Sequence, residues 1–134
     1  MKKFFKTSSI LLLFILSSFA IKAQASLTIK NNSGRSMTLK VMKGSYTNSS
    51  IYETVYISAY SEKTVNFYES GNYFTKTKAV LKGKDPVYQK GQVFYVTNDD
   101  SGYSVLTITF SIKESSVPQL SGGKKISKTE FDKN

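Results

Sequence analysis

The sequence predicts an all-β protein: a small antiparallel β-sandwich of about seven strands, Ig-like or jelly-roll-like, between an N-terminal signal peptide and a short flexible tail. Three observations carry this prediction. Beyond residue 25, apolar and polar residues alternate with a period of two. The alternating runs are rich in Val, Ile, Thr, Tyr and Phe, and clusters of Gly, Asn, Asp and Ser separate them. No stretch of helical periodicity precedes residue 115.

The first element is a leader. Lys2, Lys3 and Lys6 precede an apolar run from Ile10 to Ala20, and Ala23-Gln24-Ala25 has the small-x-small pattern of a cleavage site. A membrane anchor needs about 20 apolar residues, and Lys22 interrupts this run. The expected division is a signal peptide over 1–25, a β-sandwich domain over 26–114 and a flexible tail over 115–134 carrying a short helix. Cleavage falls after Ala25 or after Ala23. With no cysteine there is no lipidation site, so the product is expected to be secreted or periplasmic, in a bacterial-type setting, with no membrane span after cleavage.

Strands are expected at 27–30, 36–43, 51–58, 63–69, 73–81, 92–98 and 103–114. Met37, Leu39 and Val41 point inward, as do Val55 and Ile57, leaving Tyr52, Thr54 and Tyr56 outside. If the fourth and fifth strands pair, Val65 and Phe67 face in and Lys76 and Lys78 out. Residues directly opposite share a face, which requires a three-residue loop over 70–72. A four-residue loop over 99–102 sets Tyr95 against Leu106 and Val93 against Ile108, with Phe94 and Val96 turned outward. The segment 82–91, with Pro86, Gly83 and Gly91, reads as a turn. In the tail, Ser127 and Glu130 have capping-box spacing, and Ile126 and Phe131 stand where a hydrophobic staple would. A helix that short must dock to persist. The outward apolar residues Phe94, Val96 and Val105 are its nearest predicted seat, and a frayed end is the alternative.

Composition limits the chemistry. There is no histidine and no cysteine, hence no imidazole base, no thiolate nucleophile and no usual zinc site. No serine lies in a G-x-S-x-G elbow. Asp99 and Asp100 fall far short of a calcium shell and read as an Asp-led turn. The expectation is no enzyme, no catalytic residue, no metal and no cofactor. Lys2, Lys3, Lys6 and Lys22 leave with the leader, so 15 of the 19 basic residues remain against 9 acidic ones, a net charge of +6. These lysines are scattered along the sequence rather than run together, which argues against nucleic acid and for weak attraction to anionic glycans or surfaces.

One constellation invites binding. Tyr52, Tyr56, Tyr68, Phe74 and Lys76 are expected to project outward, near Tyr46, Tyr60, Tyr88, Asn66 and Lys78. Aromatic faces beside amide and ammonium donors suit stacking on sugars or on a partner's side chains, although outward tyrosines also form ordinary cross-strand pairs. The expected role is a non-catalytic interaction module for a protein or glycan partner. The alternative is a structural surface or adhesion subunit associating through sheet edges. The oligomeric state is not readable from the sequence.

Overall fold

The computed structural model describes residues 24–134. The predicted leader, apart from Gln24 and Ala25, lies outside the described residues. β1 (Ala25–Asn31), β2 (Ser36–Gly44), β3 (Ser49–Ile57), β4 (Glu62–Phe67) and β5 (Gly71–Val80) come first, then β6 (Val87–Gly91) and β7 (Phe94–Val96). The short β8 (Asn98–Asp99) and β9 (Gly102–Tyr103) precede β10 (Val105–Phe110). β11 (Ile112–Lys113), β12 (Gln119–Leu120), β13 (Gly123–Lys125) and one helix, α1 (Lys128–Asp132), complete the chain. The all-β expectation holds.

Two sheets share one core. The first runs β10-β1-β4, and the second runs β13-β6-β5-β2-β3 with β7 also paired to β5. Leu27, Ile29, Val65, Phe67 and Phe110 come from the first sheet. They meet Met37, Leu39, Val41, Tyr73, Ala79 and Val96 from the second. These are the inward positions of period-two strands, and burying them is the main favourable term of folding. Most ladders are antiparallel, but β1 and β10 run parallel, with Leu27 opposite Leu106 and Ile29 opposite Ile108.

Strand partners depart from the sequence expectation. β4 pairs with β1 rather than β5, so no 70–72 hairpin exists, although Val65 and Phe67 do face the core. The segment 82–91 is not all turn, since its second half is β6. Pro86 stands just before that strand, where a missing N–H is tolerated, and polar Gln89 takes an inward place and hides the alternation. Tyr95 and Val93 are exposed while Val96 is buried, the reverse of the expected facing. The cause is that β7 pairs with β5, Tyr73 opposite Phe94, instead of with β10. The loop at Asp99 closes a tight β8–β9 hairpin, in which Asp99 Oδ1 accepts bonds from the Ser101 amide and hydroxyl. Those bonds hold its carboxyl below the ordinary range.

Arg35 is fully buried where the two sheets meet. Its Nε and Nη2 bind Glu114 in a two-pronged pair at 3.0 and 2.9 Å, and Nη1 donates to the carbonyls of Ala79 and Asp85. The planar guanidinium suits such a seat, because its donors reach several acceptors at once. Asn31 closes the β1–β2 turn, donating to the carbonyls of Arg35 and Ser58 and accepting from Ser33.

The tail is docked, not free. Ser127 caps α1 by accepting from the Glu130 amide, as the capping-box spacing predicts, and Ile126 and Phe131 are both buried. Its seat differs from the predicted one. Phe131 lies against Tyr88, with ring centroids 5.5 Å apart, on the outer face of the six-stranded sheet. Phe94 and Val96 are unavailable as a seat because they pack toward the core.

Candidate functional site

The predicted aromatic constellation is dispersed by the fold. Tyr52 turns inward: the β2–β3 register passes from Val41 opposite Glu53 to Met42 opposite Ile51, leaving Tyr52 as the extra residue of a bulge. Its ring stacks on Phe67 at 5.5 Å and its hydroxyl donates to the Asn66 carbonyl. Phe74 is buried beneath Tyr46, and Lys76 is buried with its ammonium bonded to the Glu130 and Lys133 carbonyls. Tyr56 and Tyr68 are exposed but back onto different sheets, since each neighbours a core residue, Ile57 or Phe67, and so points the other way. The five do not form one surface. Tyr56, Phe74 and Lys76 share the outer face of the six-stranded sheet, but α1 and the Tyr46 ring cover Phe74 and Lys76 and leave Tyr56 exposed.

A different site is open. Between β10 and the β6–β7 junction the two sheets part, leaving a cleft of about 870 Å³. Its floor is the buried Leu27 and Phe110 together with Leu106, Ile108 and Phe94, core-facing side chains that here are partly exposed. Its rim carries Thr75, Thr107, Lys90 and Lys124. The opening has a local cause. β6 ends at Gly91 and β7 begins at Phe94, so the edge of β5 away from β2 has no partner strand at Phe74 and Thr75. Tyr46 fixes the break by donating to the Gly91 carbonyl at 2.8 Å. Gly91 is required there, because a Cβ would come within 2.7 Å of the Thr75 hydroxyl.

The same cleft borders an unpaired strand edge. Ser26 N–H bonds Ser104 O and Asn32 N–H bonds Phe110 O, so the even-numbered peptide groups of β10 face β1. In a parallel ladder the alternate residues then point the other way. Val105, Thr107 and Thr109 therefore present N–H and C=O to the free edge, and among the described residues no strand pairs there. The edge closes again at Ser111, which exchanges bonds with Ser121 before β11 pairs with β12.

Chemically this is an apolar slot with backbone donors and acceptors along one wall and ammonium groups at the rim. Among the described residues no carboxylate lines it, so it offers affinity without an acid–base pair. The sequence reading turned Leu106 and Ile108 to the right face but set Tyr95 and Val93 opposite them, where the structure has no strand. The break at Gln92-Val93, two exposed residues between β6 and β7, is the feature that opens it. Comparison of the chain with protein-family models, curated proteins and solved structures finds no match.

Proposed function

We propose that the chain is an exported, non-catalytic β-sandwich module that holds an extended segment of a partner protein against β10. One observation carries this reading: an unpaired strand edge runs along an apolar cleft of about 870 Å³, within the size range of ligand sites. An added strand would satisfy the free peptide groups of Val105, Thr107 and Thr109 while alternate side chains enter the cleft. Lys124, exposed at the rim, favours an occupant with an acidic residue at that end. A photo-reactive residue at position 107, used in the native host, should capture a polypeptide. The capture should vanish with Thr109→Pro, which removes an edge donor, and persist with Thr109→Val. Capture that ignores the proline, with the fold intact, overturns the reading.

The free edge also favours a second reading, a surface or adhesion subunit in which β10 of two copies pair. Sedimentation at rising concentration separates the two: edge pairing between copies gives dimers that Thr109→Pro abolishes.

Export rests on the leader pattern, and within that reading the burial of Ala25 favours cleavage after Ala23. Ala25 is fully buried in β1 opposite Phe67, so removing it would strip the core, whereas cleavage after Ala23 keeps it. Mass spectrometry of the protein from its host should give a mature start at Gln24. A chain still beginning at Met1 would contradict export.

A further inference from the structure

The outer face of the six-stranded sheet carries a row of lysines that the sequence conceals. Lys40 stands opposite Lys76, Lys76 opposite Lys90 and Lys90 opposite Lys124, so four ammonium groups sit side by side across β2, β5, β6 and β13. With neighbouring strands about 4.8 Å apart, the row spans roughly 14 Å. Like charges directly opposite one another destabilise a sheet. A seat needed only for a short helix has no use for them.

The tail compensates the row incompletely. Lys90 reaches the Glu130 carboxylate at 2.8 Å, but Lys76 meets only the Glu130 and Lys133 carbonyls. Lys40 meets the Phe131 carbonyl and the Asn134 side chain. The remaining helix acid, Asp132, is held by Lys128, and Lys124 has no partner among the described residues. Burial, then the neighbouring Lys40, holds the Lys76 ammonium below the usual lysine range. Aromatic rings frame the row: Tyr46 lies 4.3 Å from Lys90 Nζ, and Tyr88 is covered by Phe131. A cleft of about 450 Å³ between Tyr46 and α1 already opens onto Lys76 and Lys90.

We infer that this lysine row is a binding site for a polyanionic polysaccharide, and that the C-terminal helix occupies it as an internal stand-in. Carbonyl and carboxylate oxygens of the tail hold the places of sulfate or uronate oxygens, and the Phe131 ring holds that of a sugar ring over Tyr88. Bound polysaccharide displaces the helix. The row shares Lys90 and Lys124 with the rim of the β10 cleft, but Lys40 and Lys76 lie outside that cleft, and the inference does not depend on the cleft's occupant.

Calorimetric titration with a heparin hexasaccharide at low salt tests the inference. Phe131→Ala, which weakens the stand-in, should bind about tenfold more tightly than the unmodified protein, because a covered site lowers apparent affinity by its covered fraction. Adding Lys76→Gln and Lys90→Gln should reverse that gain, while adding Lys63→Gln and Lys113→Gln, exposed lysines outside the row, should not. Glu130→Gln keeps the Phe131 ring and should give a smaller gain of the same sign, which guards against a folding defect in the first variant. No gain in either variant, or an equal loss from the outside pair, overturns the site. Equally tight binding of a single-stranded DNA of matched charge overturns the polysaccharide assignment.

Discussion

The β10 edge and the lysine row are opposite solutions to the same difficulty, a sheet surface left incomplete. At β10, peptide groups and apolar side chains stand open because no strand of the chain pairs there. At the lysine row, three of the four like charges are covered because the last residues of the chain fold back across them. The contrast shows which surface the chain completes for itself. An uncovered edge is an aggregation liability that proteins ordinarily protect, and the partner strand proposed for β10 would supply that protection.

Core substitutions separate the closed and open parts of one strand and carry the largest expected effect. Phe110→Ala, fully buried at the end of β10, should cost about 3–5 kcal/mol, as large-to-small changes in cores do. Ile108→Ala, on the same face but against the open cleft, should cost only about 1 kcal/mol, because its side chain buries less apolar area in the folded state. Chemical denaturation of both variants checks this. Equal costs would mean that the cleft is closed in solution.

On the covered side, Phe131→Ala should cost about 1–2 kcal/mol, a buried aromatic offset by the entropy of ordering the tail. The loss should appear as faster hydrogen exchange of the α1 and Ile126 amides while β1 and β2 remain protected. A global loss of protection instead would show that the helix is part of the core rather than a cover.

Acid should sharpen the same distinction. Arg35 holds the Glu114 carboxyl below its ordinary value near 4.5, and Lys90 does the same for Glu130. A depressed carboxyl stabilises the folded state above its unfolded value, and that contribution is lost as pH falls through the folded value. Stability should therefore decline below about pH 4.5. Glu130→Gln should remove only the part seen at the tail amides, and Glu114→Gln the part seen globally. Lys76 acts in the other sense. Its folded value lies below 10.5, so the unfolded chain binds the proton more tightly and the covered face gains stability as pH rises toward 10.5.

The smallest effect concerns the bulge. Tyr52→Phe removes the bond to the Asn66 carbonyl but keeps the ring on Phe67, and should cost about 0.5–1.5 kcal/mol. A cost near that of Phe110→Ala would mean that the hydroxyl, not the ring, joins β3 to β4.

Strand identity and facing were legible wherever one face was uniformly apolar, as in β2 with Met37, Leu39 and Val41 or β10 with Leu106 and Ile108. The reading failed where polar residues point inward, as at Gln89 in β6. It failed again where a bulge reverses the count, as at Tyr52. Pairing was less legible than facing, because alternation says which side a residue takes but not which strand lies beside it. That is why the β1–β10 parallel ladder and the lysine row were both missed. Lys40, Lys76, Lys90 and Lys124 are far apart in sequence and become neighbours only through three registers. The helix cap at Ser127 was legible because capping is local chemistry, whereas its seat depends on the whole sheet.

Residue-resolved hydrogen exchange along β10 tests the open edge most directly and needs no ligand. The amides of Leu106, Ile108 and Phe110 bond to β1 and should exchange slowly, while those of Val105, Thr107 and Thr109 should exchange faster by about two orders of magnitude or more. Uniform slow exchange across all six would mean that something already pairs with the edge, and would contradict the account.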